Sequence, residues 1–305
     1  MYQLIIIGAG PAGQTAGIFA QRYGINFLII GQITGGTTNE AHSVENYPGF
    51  KSITGPDLAQ EFQKHLDTEI KQAQVEKISK QEKGFKVLTN QGEYQAQTII
   101  LSMGMKIRKL NFKNEEMFLN KGVSYSTSNN INRFKDKTLA VVGGGDSALT
   151  NTLKLSAQAK KIYIILRRDE FRGAPALVRK AEKQANIEIV YKAQIIEAQG
   201  KDKLEKIILN TDQQLEIDQL FIDVGGVPNV HLCAELNIEM ENNFVKTDKH
   251  QLTNVPGVFA AGDITNNPLK LIVTAAAEGT IAATSAFKYI KSINSVFHFG
   301  EFSRI

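Results

Sequence analysis

Arg167, Arg168 and Arg172 place three guanidinium groups within a stretch of six residues. Guanidinium forks meet phosphate oxygens through paired, charge-assisted hydrogen bonds. The arginines lie about 20 residues beyond a glycine run, Gly143-Gly144-Gly145-Asp146-Ser147-Ala148. That run separates an apolar stretch, Thr138 to Val142, from a helical stretch reaching about Gln158. In such a strand, turn and helix, the first glycine makes the tight turn and the second lets a pyrophosphate approach the backbone. The third small residue lets the helix pack on the strand. The helix start adds free N–H groups and a partial positive charge. At the end of the next strand, Lys161 to Leu166, an acid would take the 2'-hydroxyl of NAD(H), whereas the arginines found there suit the 2'-phosphate of NADP(H). A solvated basic loop would also carry arginines, but their number and position favour the phosphate.

The same grammar opens the chain. Tyr2 to Ile7 is short, apolar and β-branched, and runs into Gly8-Ala9-Gly10-Pro11-Ala12-Gly13, a helical stretch Gln14 to Tyr23, and a strand Asn26 to Ile30. The two glycine runs are too far apart in sequence to serve one ligand, so two dinucleotides are implied. At the strand end of this first unit, Ile30-Gly31-Gln32, no carboxylate waits for a ribose. A third glycine signal, Gly262-Asp263, follows the apolar stretch Val258 to Ala261.

The elements that must hold these groups fit an ordinary globular chain of 305 residues, 42% hydrophobic and 22% charged, long enough for two domains. A net charge of +4, from 35 basic and 31 acidic residues, is too balanced for a nucleic-acid surface and permits only a mild attraction to acidic partners. With no membrane-length apolar run and no signal-peptide pattern, a cytoplasmic protein is expected. Cys233 is the one cysteine, so an intramolecular disulfide, a two-thiol redox couple and a Cys-rich metal site are excluded, and no metal is expected. Within the largely apolar stretch Val230 to Leu236, Cys233 reads as a small buried hydrophobe.

Segments around Val75 to Ile78, Phe85 to Leu88 and Thr98 to Leu101 read as strands, as do Ile187 to Tyr191, Ile195 to Ala198, Leu204 to Asn210 and Gln219 to Val224. An Ala-rich helix spans Val273 to about Ile290. The expected fold is α/β, with two Rossmann-like dinucleotide-binding domains of three layers (ββα). The NADP(H) domain (109–244) is inserted into the domain of the other dinucleotide, built from 1–108 and 245–305.

With those residues in place, the chain resembles the low-molecular-weight thioredoxin reductases over essentially its whole length. The resemblance rests on the two glycine runs, Gly35-Gly36, Val44-Glu45-Asn46-Tyr47-Pro48-Gly49-Phe50, Arg167-Arg168-Asp169-Glu170-Phe171-Arg172 and Gly257-Val258-Phe259-Ala260-Ala261-Gly262-Asp263. It implies FAD as the first dinucleotide, held by Gly8, Gly10, Pro11, Ala12, Gly13, Gly31, Gln32, Gly35, Gly36, Thr37, Asn46, Val75 and Gly104. Gly262, Asp263 (on the ribityl chain), Lys270, Leu271 and Ile272 (at the flavin pyrimidine edge) complete that set. Beside Arg167, Arg168 and Arg172, the NADP(H) set becomes Gly143, Gly145, Asp146, Ser147, Ala148 and Gly225. A homodimer is implied as well.

One departure decides the chemistry. Where the family reads Val-Ser-Tyr-Cys-Ala-Thr-Cys-Asp, this chain reads Val123-Ser124-Tyr125-Ser126-Thr127-Ser128-Asn129-Asn130. Both redox cysteines and the acid that protonates them are replaced, with Ser126, Asn129 and Asn130 in the motif, and neither Ser nor Asn can form a disulfide. Leu166, where the family usually has His, is a smaller departure. Cysteine-free relatives include ferredoxin or flavodoxin–NADP reductases, so a hydride exchange between NADPH and FAD with an external acceptor of this type is the leading reading. An NAD(P)H oxidase or diaphorase, a reductase using the thiols of a bound low-molecular-weight disulfide, and a non-enzymatic flavin-binding module are the alternatives. The terminal stretch carries Phe297, His298, Phe299 and Phe302. In the reductases resembled, such an extension stacks a ring on the flavin. Simple anchoring of the chain end is the other reading.

Overall fold

A computed structural model describes residues 1–41, 44–125 and 131–294. The chain folds into two compact units, 1–106 with 228–305, and 107–227.

In the first unit, β1 (Tyr2–Ile7), α1 (Pro11–Arg22) and β2 (Phe27–Ile30) form the opening βαβ, with β1 parallel to β2. After α2 (Gly55–Lys64) come β3 (Val75–Gln81), β4 (Gly84–Thr89) and β5 (Gly92–Leu101). β5 has two halves. Its first residues run antiparallel to β4, and from Ala96 on it runs parallel to β1. Successive residues of β1 are buried on opposite faces. Leu4 and Ile6 meet the core beneath α1, and Ile5 and Ile7 meet the core on the β3–β4 side. A strand covered on both faces is apolar throughout, which is why Tyr2–Ile7 lacks the alternation of a half-exposed strand.

The second unit carries β6 (Val123–Ser124), β7 (Thr138–Val142), α3 (Asp146–Ser156), β8 (Lys161–Ile165), α4 (Pro175–Glu182) and β9 (Ile187–Val190). A small antiparallel sheet follows, β10 (Ile195–Gln199), β11 (Lys206–Leu209) and β12 (Gln214–Glu216), and then β13 (Gln219–Ile222). The main sheet is parallel with order β9-β8-β7-β13-β6. Leu139 and Val141 pack toward α3, and Ala140 and Val142 toward the small sheet. The expected ββα layering is therefore present in an α/β fold.

β14 (Val258–Ala260) adds a parallel strand to β5, and α5 (Ile272–Asn294) closes the first unit. α5 is longer than the Val273 to Ile290 expected. It packs tightly on α1 at Gly279, where a Cβ would lie 2.2 Å from the Ala12 carbonyl oxygen.

The second crossing between units differs from expectation. It falls at Val227 and Pro228, not near Val245. Leu232, Cys233, Leu236 and Ile238 are buried with Ile7, Ile99 and Val258, so 228–244 belong to the first core. α2, α4 and β12 are elements that sequence patterning did not mark. Residues 167–174, which carry the three arginines, form bends and irregular backbone that precede α4.

Candidate dinucleotide sites

In each main sheet the chain leaves a central strand on one side, returns on the other, and places its glycine run where the order reverses. Such a reversal opens a crevice at the carboxyl ends of the strands.

The first fingerprint packs as its spacing requires. Gly8 has φ +114°, and a Cβ there would sit 2.2 Å from the Ser102 carbonyl oxygen, so the β1 turn lies against the end of β5. A Cβ on Gly13 would lie 1.8 Å from the Gly8 carbonyl oxygen, which is the close helix-on-strand contact. Around Gly10 nothing lies within 4 Å of that position. The middle glycine therefore faces open space, at the start of a helix whose first turn holds no acidic residue. A pyrophosphate fits that cradle.

The space is a cleft of about 490 Å³ within the first unit. Its walls include Gly8, Gly10, Pro11 and Ala12, the β2 end Gly31-Gln32, Gly36-Thr37, Val75, Gly104, Gly262-Asp263 and Lys270-Leu271-Ile272. Three residues of the expected set stand elsewhere. Gly13 packs inward as described, Gly35 turns at φ +86° against Ala59 of α2, and Asn46 is exposed on a bend outside the cleft walls. Where a ribose carboxylate is missing, Gln32 donates to Gln74 Oε1 at 3.2 Å, so amide groups occupy the β2 end.

Asp263 is half-buried at the cleft wall, and burial holds its carboxyl above the usual aspartate range. The Lys270 ammonium pulls the other way, while the Glu278 carboxylate adds to the rise. Lys270 donates through Nζ to the Thr265 carbonyl oxygen at 2.6 Å and lies 4.1 Å from the Phe244 ring centroid. Its own pKa is lowered by burial against the opposing charges of Asp263 and Glu278.

Glu278 was not singled out in the sequence. It is 4% exposed on α5 and accepts the Gly262 N–H at 2.7 Å through Oε2. Thr265 Oγ1 lies 3.0 Å from the same oxygen, and the Asn267 side-chain amide donates to Oε1. One buried carboxylate thus pins the loop that carries Asp263. A lone acid within the Ala-rich run Val273 to Ile290 was its signal. His231 and Asn229, joined by a 2.8 Å contact, and Ser102, whose hydroxyl donates to the Ile7 carbonyl oxygen at 2.9 Å, also line the cleft unforeseen.

In the second unit, Gly143 has φ +145° and a Cβ there would lie 2.0 Å from the Asp223 carbonyl oxygen, while Gly145 at the α3 start is uncrowded. Ala148, buried, takes the packing place of the third glycine. Asp146 opens α3, and its Oδ1 accepts the Ala174 N–H at 2.6 Å. The Arg172 and Gly173 N–H groups both donate to the Gly144 carbonyl oxygen at 2.9 Å. These three bonds tie the arginine loop to the glycine turn. Arg167, Arg168, Arg172 and Ser147 are exposed beside it, and Gly225 makes an uncrowded turn at φ +74° after β13.

Two sheet reversals, each with a glycine run at a helix start, are what a two-dinucleotide fold requires. A family model described as pyridine nucleotide-disulphide oxidoreductase fits residues 2–279. The chain belongs to that family, and its fold is that of the low-molecular-weight thioredoxin reductases. It is 35% identical over 304 residues to a thioredoxin reductase of Listeria monocytogenes, covering 96% of this chain and 95% of that one. The crystal structure of Lactococcus lactis thioredoxin reductase superposes with a TM-score of 0.84 at 31% identity, over 96% of this chain and 100% of that one. A ferredoxin-flavin thioredoxin reductase from Clostridium acetobutylicum gives a TM-score of 0.53 at 29% identity, over 95% and 98%. The protein is an oxidoreductase flavoprotein whose cofactors are FAD and NADPH. Among the described residues no helix is long and apolar enough to cross a membrane.

Ser126, Asn129 and Asn130, in the place of the family's redox motif, and Phe297, His298, Phe299 and Phe302 lie outside the described residues. Just before the former, the Tyr125 hydroxyl donates to the buried Glu115 carboxylate. Cys233 is 3% exposed in the first core, and burial pushes its thiol up to about 11.

Proposed function

We propose that this protein is an NADPH-dependent FAD oxidoreductase that hands electrons to a separate carrier, a ferredoxin or a flavodoxin. The observation that carries the reading is the pairing of a complete two-dinucleotide fold with a single, buried cysteine. A hydride leaving NADPH brings two electrons and one proton. With no dithiol in the chain to receive them, they must leave from the flavin side. Bound FAD supplies the ability to accept electrons as a pair and release them singly. Two one-electron carriers then take one electron each, and the proton goes to solvent.

The chain's own residues would divide the work. Gly8, Gly10 and the α1 start hold the FAD pyrophosphate, and Asp263 takes a ribityl hydroxyl. The α5 start, with Leu271 and Ile272, faces the flavin pyrimidine edge, where a helix N-terminus favours the negative charge of the reduced ring. Gly143, Gly145, Ser147 and the α3 start hold NADP(H), with Arg167, Arg168 and Arg172 on its 2'-phosphate. The modest positive net charge suits an acidic carrier. The likeness to a ferredoxin-flavin thioredoxin reductase supports a flavin of this fold exchanging electrons with ferredoxin. A homodimer is part of the proposal.

The test is an anaerobic titration of the FAD-loaded protein with NADPH, followed by mixing with ferredoxin, flavodoxin and oxygen in turn. Bleaching near 450 nm at about one NADPH per flavin, then rapid reoxidation by either carrier and slow reoxidation by oxygen, is expected. Fast reoxidation by oxygen alone would assign an oxidase. Reoxidation only by a small disulfide would assign a reductase working through its substrate's thiols, and absence of bleaching would leave a binding module.

A further inference from the structure

β7 is the strand at which the second sheet reverses, with β8 on one side and β13 on the other. Val142 is level with Ile165 on the β8 side and with Ile222 on the β13 side. Gly143 is therefore flanked by the approach to Arg167 and Arg168 on one side and by Asp223 on the other. Asp223 is fastened there. Its N–H donates to the Val142 carbonyl oxygen at 2.8 Å, and its Oδ2 accepts the Asn151 side-chain amide at 2.8 Å from the second turn of α3.

A dinucleotide laid across this reversal has little choice of direction. Its pyrophosphate meets the uncrowded Gly145 at the α3 start, and the arginines draw the 2'-phosphate of the adenosine half over β8. The nicotinamide half then falls on the β13 side, over Asp223. The Asp223 carboxylate has acceptor sites to spare, because Asn151 occupies one oxygen and no described residue donates to Oδ1. It is half-buried, and burial raises its pKa. A group in that state gains from each further donor. The nicotinamide carboxamide carries an NH₂.

We propose that Asp223, oriented by Asn151, accepts a hydrogen bond from the carboxamide NH₂ of the nicotinamide and so selects the amide form of the cofactor. The inference rests on the reading of the second unit as the NADP(H) site and adds to it the residue that recognises the reactive end.

Dissociation constants of the FAD-loaded protein measured by calorimetry with three ligands test it. The ligands are NADP⁺, 2'-phospho-ADP-ribose, which has no nicotinamide, and the nicotinic acid analogue of NADP⁺, whose carboxylate replaces the amide. Asp223→Ala should weaken NADP⁺ about tenfold, the cost of a charge-assisted hydrogen bond, and leave 2'-phospho-ADP-ribose unchanged. Asp223→Asn, which keeps the shape and offers a donor, should narrow the preference for NADP⁺ over the nicotinic acid analogue by a similar factor. Asn151→Ala, which leaves the carboxylate but frees it to turn, should give a smaller loss on NADP⁺ alone, and serves if Asp223→Ala does not fold. Equal weakening of NADP⁺ and 2'-phospho-ADP-ribose, or no change in either, would overturn the proposal. A wild-type protein that binds neither would instead overturn the NADP(H) site on which it rests.

Discussion

Gly262 donates its backbone N–H to the Oε2 of Glu278 at 2.7 Å, across the base of the loop that presents Asp263 to the cleft. The carboxylate also serves Thr265 and Asn267, so its removal strands the Gly262 N–H and the Asn267 amide, while the Thr265 hydroxyl keeps the Gly262 carbonyl oxygen as an acceptor. Glu278→Ala should cost about 1–3 kcal/mol of apo-protein stability, the usual penalty for stranding buried polar groups, and should speed FAD release. Glu278→Gln, which keeps the acceptor oxygen, should cost less. Urea denaturation and the flavin absorbance that survives gel filtration check both, and an unchanged loop would show as no effect on either.

The glycines of the first fingerprint separate folding from binding. A Cβ at position 13 would overlap the Gly8 carbonyl oxygen at 1.8 Å, whereas one at position 10 meets nothing. Gly13→Ala should destabilise the protein by more than about 3 kcal/mol or prevent its folding, because neither backbone can move aside. Gly10→Val should fold normally and purify without FAD, its side chain filling the pyrophosphate cradle. Melting curves and flavin content read the two effects independently.

Replacing Arg167 and Arg168 with Gln should raise KM for NADPH strongly and KM for NADH little. Each lost charge-assisted contact with the 2'-phosphate costs about 1.5–3 kcal/mol, against nothing for a nucleotide that lacks the group. The arginines are exposed, so stability should hardly change. Steady-state kinetics with both nucleotides give the ratio, and equal effects would contradict a 2'-phosphate role.

FAD retention should fall with pH earlier than a free aspartate's 3.8 would suggest, because the folded carboxyl of Asp263 is raised. The ionised form, which the proposed hydrogen bond from a ribityl hydroxyl requires, is lost as pH drops through that raised value. In the apo-protein the sign is opposite. Above its folded pKa the buried charge opposes folding, and the penalty is relieved on acidification. Asp263→Asn should therefore leave apo stability at pH 7 equal or higher while FAD binds more weakly and its retention loses this acid limb. Flavin fluorescence release between pH 6 and 4 and a thermal melt at pH 7 measure the pair.

Cys233 should be inert to a thiol reagent at pH 8 in the native protein and react fully in denaturant. Its thiol is 3% exposed and pushed up to about 11, so little thiolate forms and little reagent reaches it. A kinetic trace of thiol modification with and without guanidinium decides this, and rapid native reaction would place Cys233 elsewhere than in the core.

Local chemistry accounts for what could be read from the sequence alone. Glycine spacing, β-branched runs and the arginine cluster each act within a few residues, so Gly8 to Gly13, Gly143 to Ala148 and the strands beside them were legible without coordinates, and one cysteine settled the missing disulfide outright. The crossing at Val227, the burial of 228–244 with the first core, the helices Gly55–Lys64 and Pro175–Glu182, and the bonded positions of Glu278 and Asp223 were not. Each depends on partners far away in sequence. Cys233 belongs to the core of Ile7 and Ile99, Glu278 reaches back 16 residues to Gly262 from the second turn of α5, and Asp223 meets Gly143 because a parallel sheet brings β13 beside β7. Periodicity reports which face of a segment is buried. Only the folded sheet determines what that face is buried against.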